Sequence, residues 1–253
     1  MVHLEALPGT PANHLPPDAI IERALSDATI LEQAGFDSIL VENMLDAPYL
    51  LGNVGPEIIA TMTAATSAVQ NAVNIPVGVQ VLAGANRAAM SIAHATGGAF
   101  IRAEGFAYAA VADEGLFAEA DAGPLLRHRR MLGADSVSIW ADVRKKHSAH
   151  ALTNDLSLAQ LVEGTAFCGA DAVVITGSTT GATTSLKDIE EASTASSLPV
   201  VVGSGATPET IPELLRVANA VIIGSAIKVD GQWRNPVDPE RAHNAAKARD
   251  HVG

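Results

Sequence analysis

The sequence predicts an α/β protein, a single (β/α)8 TIM barrel spanning residues 1–253, and three observations predict it. Aliphatic runs of strand length recur eight times, and a segment of helical period follows each. The average unit is roughly 32 residues, the length of a strand with its crossover helix. Aromatic residues make up 4% of a chain that is 48% hydrophobic, so Ala, Val, Ile and Leu fill the interior. Buried parallel strands read as such aliphatic runs. The competing doubly wound open sheet lacks its dinucleotide fingerprint, because Gly203-Ser204-Gly205 is followed by Ala206-Thr207-Pro208 with no third glycine in register.

The units run in order. Residues 2–4 open the series, and 19–34 carry a helical pattern ended by Gly35. Residues 38–41 form the second run, with a helix over 56–69. Residues 77–82 are followed by a helix over 86–96. Residues 100–103 lead through a longer loop to a helix ending near Leu132. Residues 137–143 are followed by 156–168, and 172–176 by 186–195. Residues 200–203 precede 208–217, and 220–224 precede a last helix over 239–250. No Pro/Gly/Ser linker or charge block divides the chain.

Charge narrows the partners. Lys and Arg total 16 against 28 Asp and Glu, a net charge of −12, so no nucleic-acid partner is expected. Anionic membrane surfaces are disfavoured for the same reason, and no apolar stretch reaches the ~20 residues that cross a bilayer, so no membrane insertion is expected. The opening Met1-Val2-His3-Leu4 shows no charged segment before an apolar run, and the expected location is cytoplasmic. One cysteine, Cys168, excludes an intrachain disulfide and reads as a packed hydrophobe near a helix end.

In a barrel the chemistry gathers where strands end and βα loops begin. That rule selects His3 and Glu5, Glu42 and Asn43, Gln80, Arg102 and Glu104, Asp142 with Lys145, Lys146 and His147, Thr176 and Ser178, and the glycine turns after strands seven and eight. Gly203, Ser204 and Gly205 with Gly224 and Ser225 fit phosphate-binding loops, with Thr207 as an N-cap and a short helix opening at Ser225. The same glycines also fit plain tight turns. Lys145, Lys146 and His147 suit a clamp for an anionic substrate, a Schiff-base lysine if its pKa is depressed, or a solvated basic loop. Glu42, Glu104 and Asp142 suit acid/base work, a Mg2+ site, or an ion-pair network with Arg102. Residues 177–185 form a hydroxyl-rich loop, read as a lid or as an ordinary exposed loop.

Further stretches accompany these motifs. They are Leu7-Pro8-Gly9-Thr10-Pro11, Val41-Glu42-Asn43 with Asp46-Ala47-Pro48, Val54-Gly55-Pro56-Glu57, Ala112-Asp113-Glu114-Gly115, Thr180-Gly181, Lys228, and Asn235-Pro236-Val237-Asp238-Pro239-Glu240-Arg241. In that order, over essentially the whole chain, they resemble the BtpA/SgcQ family of barrel proteins. Many members carry Arg-Val-Asn where this chain has Arg102-Ala103-Glu104, and Asp-Val-His-Val-Lys-His where it has residues 142–147. Those departures resemble a second branch that includes uncharacterised animal proteins. The resemblance implies a barrel. Through the factor that names the family it also implies a role in photosystem I accumulation, and through a member in a carbohydrate-utilisation cluster, sugar chemistry.

The expectation is an enzyme acting on a small phosphorylated metabolite, a sugar phosphate or a nucleotide-derived ribosyl phosphate. Glu42, Glu104, Asp142, Lys146 and His147 are its catalytic candidates. His3, Asn43, Arg102, Thr176, Ser178, Gly203, Ser204, Gly205, Gly224 and Ser225 are its binding candidates. Mg2+ on Glu42, Glu104 and Asp142 is the one cofactor considered. The alternatives are a non-catalytic assembly or stability factor and a phosphometabolite sensor. Barrels commonly pack together, which leaves a homo-oligomer open.

Overall fold

The computed structural model describes residues 1–145, 148–177 and 184–250. Eight parallel strands form one curled sheet. They are β1 (Val2–His3), β2 (Ile39–Glu42), β3 (Val77–Gln80), β4 (Phe100–Ala103), β7 (Ser138–Val143), β9 (Ala172–Ile175), β10 (Val200–Val202) and β11 (Ala220–Val221), paired in that order. The helices between them cover the outer face: α1 (Pro17–Ala34), α2 (Pro56–Ala72), α3 (Asn86–Thr96), α4 (Ala122–Leu132), α5 (Leu158–Phe167), α6 (Leu186–Ala195), α7 (Ile211–Leu214) and α8 (Pro239–Arg249). Gly35 ends α1 in the left-handed region, φ 93°, as a glycine C-cap does. Ser157 and Gln160 close a capping box at the start of α5.

Strand alternation divides the interior into layers. Ile39, Val41, Val173, Ile175, Val200 and Val202 face the helices, while Leu40, Phe100, Ala172, Val174, Val201 and Ile222 pack together inside the curl. Phe100 stacks on Trp140 at 3.9 Å between ring centroids. Gly78 is required beside them, because a Cβ there would lie 2.2 Å from the Phe100 ring. Two residues further along β2, β3, β4 and β7 the inward position turns polar: Glu42 follows Leu40, Gln80 follows Gly78, Arg102 follows Phe100, and Asp142 follows Trp140. An apolar plug thus carries a polar layer at the carboxyl ends of the strands.

Four features differ from the sequence expectation. The sheet is a curl whose ends, β1 and β11, share no ladder. Each is two residues long, and the Met1 nitrogen spans the seam with a hydrogen bond to the Ile223 carbonyl at 2.8 Å. The long loop after β4 contains β5 (Ala110–Ala112) and β6 (Gly115–Phe117), which join β8 (Ser148–Ala149) in a three-stranded antiparallel sheet. The helix expected over 208–217 is four residues long, because Ile211 and Thr210 bond back to the Thr207 carbonyl in a turn that precedes it. The helix expected at Ser225 is a three-residue 3-10 turn, too short for a useful dipole.

The seam is braced from outside. Lys228, fully buried, donates to Asp27 Oδ2 at 2.7 Å, and Asp27 Oδ1 accepts the Val237 amide at 2.8 Å. Burial holds the Lys228 ammonium below its ordinary pKa, opposed by Asp27. One carboxylate in the middle of α1 therefore anchors the segment after the last strand. Asp27→Ala strands a buried ammonium, and we expect it to lower unfolding stability by about 3–5 kcal/mol in urea titration. A loss below about 1 kcal/mol, the size of an exposed pair, would show that the seam does not depend on this contact.

Candidate active site

The polar layer floors a cavity of about 540 Å3 at the carboxyl ends of the strands. His3, Glu42, Gln80, Arg102, Glu104 and Lys145 make its floor and wall. Residues 203–207 and 224–226 form the side built from the last two βα turns. Met44, Tyr49, Leu82, Ile222 and Trp233 give it an apolar flank, and the β5–β6 turn reaches in with Asp113 and Glu114.

Glu104 is the best-held group. Its Oε1 accepts Lys145 Nζ at 2.9 Å and Gln80 Nε2 at 3.1 Å, and its Oε2 accepts the Gly84 amide at 2.8 Å. Its backbone is clamped too: Asn86 Nδ2 donates to the Glu104 carbonyl at 2.8 Å, and the Glu104 amide donates to Asn86 Oδ1 at 3.1 Å. Burial alone would lower Lys145, but Glu104, Glu114 and Asp142 outweigh it and raise its pKa. A Schiff-base lysine needs the opposite shift, so Lys145 is arranged as a lasting cation.

Arg102 and Asp142 form a second pair. Arg102 Nε and Nη2 both reach Asp142 Oδ1, at 3.1 and 3.0 Å, and Nη1 reaches the Gly203 carbonyl at 3.4 Å. Burial raises the Asp142 pKa against the pull of Arg102, with Glu104 adding to the rise. His3 donates from Nδ1 to the Trp233 carbonyl at 2.9 Å, and its Nε2 lies 3.7 Å from Glu42 Oε2. A carbonyl oxygen only accepts, so that bond fixes Nδ1 as a protonated nitrogen.

Several expected binding groups serve the scaffold. Asn43 donates to Asp46 Oδ2 at 2.9 Å and accepts the Leu82 amide at 2.7 Å, tying the turns after β2 and β3 together, and it does not line the cavity. Thr176 Oγ1 donates to the Arg144 carbonyl at 3.2 Å. The Gly203 amide is committed to the Ile175 carbonyl at 2.8 Å, so an anion on this loop meets the amides beyond it. Ser204, Gly205, Gly224 and Ser225 do line the cavity. Glu42, Glu104 and Asp142 each face a cationic or N–H partner from the protein. Among the described residues no three His, Cys, Asp or Glu gather as a metal site, so the Mg2+ set is not assembled. Lys146, His147 and Ser178 lie outside the described residues.

The sequence reading underrated Lys145 and passed over Glu114 and Asn86. Arg144 adopts a left-handed backbone, φ 52°, and Lys145 turns back into the cavity behind it. A positive φ at an arginine has no signature in residue type. Glu114 arrives on the unforeseen hairpin. Asn86 begins α3, where an asparagine reads as an ordinary helix start.

The BtpA family model matches residues 1–251. An uncharacterised mitochondrial protein of Caenorhabditis elegans is 40% identical over 246 residues, covering 95% of this chain and 88% of that protein. The photosystem I biogenesis protein BtpA of Synechocystis is 39% identical, covering 95% and 83%. Among solved structures, N-(5'-phosphoribosyl)anthranilate isomerase from Pyrococcus furiosus superposes with a TM-score of 0.60 at 15% identity, covering 91% of this chain and 96% of that one. (S)-3-O-geranylgeranylglyceryl phosphate synthase from Thermoplasma acidophilum, in complex with sn-glycerol-1-phosphate, superposes with a TM-score of 0.60 at 15% identity, covering 92% and 88%. These likenesses establish a TIM-barrel-like fold.

The Arg102–Asp142 pair yields a test of its own. Arg102→Met leaves a buried carboxylate unpaired and is expected to cost about 3–5 kcal/mol in urea unfolding. Arg102→Met with Asp142→Leu removes both charges and is expected to regain most of that loss. A double variant no more stable than the single one would show that Arg102 acts through other contacts.

Proposed function

The chain belongs to the BtpA family, and from that premise we propose that it is an enzyme acting on a small phosphorylated metabolite, a sugar phosphate or ribosyl phosphate, at the carboxyl ends of its strands. One observation carries the reading. The inward polar layer, a lasting ammonium and the glycine turns after β10 and β11 all border the same cavity. Support from the neighbours is of the same kind, since one of them is described with sn-glycerol-1-phosphate as its substrate.

In this reading the phosphoryl group rests on the Gly205, Gly224 and Ser225 amides, where glycine allows close backbone approach. Ser204 adds its hydroxyl. Lys145 polarises an oxygen of the substrate, joined by Lys146 and His147 from the same loop. His3 exchanges a proton through Nε2, with Glu42 stabilising the imidazolium that forms. Asp142 keeps Arg102 in place beneath the reacting groups. Ser178 offers a further hydroxyl to the ligand. The work is acid/base catalysis beside the apolar flank.

A second reading, a non-catalytic assembly or stability factor, has its own observation. Val111 and Leu116 face each other across β5 and β6, both exposed, with exposed Leu51 beside Gly115. The Synechocystis relative is named for photosystem I biogenesis.

A thermal-shift screen of sugar phosphates, nucleotides and free phosphate separates the two. A ligand at a hundredfold excess over Kd adds about 2.7 kcal/mol to stability. We expect one phosphorylated class to produce such a shift and Gly205→Asp to abolish it, because Gly205 sits at φ 76° and the new carboxylate repels the anion. No shift from any phosphorylated compound would favour the assembly factor.

A further inference from the structure

Among the described residues, six buried side-chain oxygens have no hydrogen-bond partner, and three of them belong to residues that line this cavity: Gln80 Oε1, Glu114 Oε2 and Ser204 Oγ. Buried polar atoms in native proteins are almost always paired. Three exceptions on the residues of a single cavity are groups that a ligand can pair.

The chemistry of each atom is determined. Gln80 presents its amide nitrogen to Glu104 Oε1, an oxygen that also accepts the Lys145 ammonium, so the nitrogen must be the atom there. Its Oε1 is therefore the atom left over, and it only accepts. A carboxylate oxygen of Glu114 also only accepts. Ser204 Oγ accepts and donates.

Glu114 is held in place by the scaffold. It occupies the turn of the β5–β6 hairpin, and Phe117 at the end of β6 lies against two glycines, Gly84 and Gly105. A Cβ would stand 2.6 Å from its ring at Gly84 and 2.8 Å at Gly105, and both residues have positive φ. Gly84 is also the residue whose amide holds Glu104. The hairpin is thus docked on the same turn that organises the cavity floor.

Charge adds a constraint. Among the described lining residues the carboxylates of Glu42, Glu104, Asp113 and Glu114 face the cations Arg102 and Lys145. Such a wall is no plain anion trap, and a bare phosphate gains little from it. Resting on the phosphorylated-metabolite reading, we propose that Gln80 and Glu114 bind hydroxyl groups of a polyol segment of the ligand, with Ser204 bridging that segment to the phosphoryl end. The substrate class is a polyhydroxylated phosphate monoester, and Glu114 sets its specificity.

Calorimetric titration of the full chain tests this with matched probes. The polyol arm is glycerol 3-phosphate, ribose 5-phosphate and fructose 6-phosphate. The control arm is propyl phosphate and inorganic phosphate, and free ribose and free glycerol complete the set. A hydrogen bond to a charged acceptor amounts to about tenfold or more in affinity. At least one polyol phosphate should bind about tenfold tighter than propyl phosphate. Glu114→Ala should remove that advantage and leave propyl phosphate within about twofold. Gln80→Met, which also releases its bond to Glu104, should weaken the polyol phosphates more than propyl phosphate and gives a second reading if Glu114→Ala folds poorly.

Equal binding of polyol and propyl phosphates overturns the proposal and leaves the phosphate reading standing. An equal loss of both in Glu114→Ala overturns it as well. Free polyols that bind in a Glu114-dependent way, with no gain from phosphate, uphold the hydroxyl subsite and overturn the phosphate reading. No binding by any probe overturns both.

Discussion

The grip on Glu104 is the contact on which the rest of the site depends. A carboxylate with almost no exposure is costly unless donors surround it, and here the donors come from one strand end and two turns. Gly84 belongs to the turn after β3, Gln80 ends β3, and Lys145 follows β7, while Asn86 at the start of α3 clamps the Glu104 backbone. Satisfying one buried charge therefore sets the distance between loops that are far apart in sequence. It also sets the charge state of Lys145, which the surrounding carboxylates hold as a cation.

Beneath this hub the strands act as rulers. Their period of two puts Leu40, Phe100 and Trp140 in the plug and delivers Glu42, Arg102 and Asp142 one layer above. His3, Glu42 and Gln80 stand level with one another across β1, β2 and β3. The helices add little to the chemistry. Their part is to close the curl, and the Asp27–Lys228 contact does so across the seam where strand pairing stops.

How much of this was legible in the sequence depends on what each residue type encodes. The eight strands and most of their helices follow from apolar spacing, because burial against helices demands aliphatic runs. The polar strand ends follow from the rule that barrels place function there, and Glu42, Gln80, Arg102, Glu104 and the glycine turns do border the cavity. What sequence did not reveal depends on backbone conformation and distant pairing. Arg144 turns left-handed and so promotes Lys145 over its neighbours. The β5–β6–β8 sheet joins segments more than thirty residues apart, through strands of two and three residues that carry no clear alternation. Asn43 has the residue type of a ligand group, yet its amide is consumed by Asp46 and the Leu82 backbone.

The two sides of one cavity are proposed to serve the two halves of one ligand. In the proposed function the glycine turns would take the phosphoryl group and the Gln80–Glu114 side the hydroxyls. A crystal structure of the protein soaked with ribose 5-phosphate measures this most directly. The account predicts phosphoryl oxygens on the Gly205 and Ser225 amides and sugar hydroxyls within hydrogen-bond distance of Gln80 Oε1 and Glu114 Oε2. A sugar phosphate bound outside this cavity, or lying in it with its phosphate against Glu114, would contradict the account.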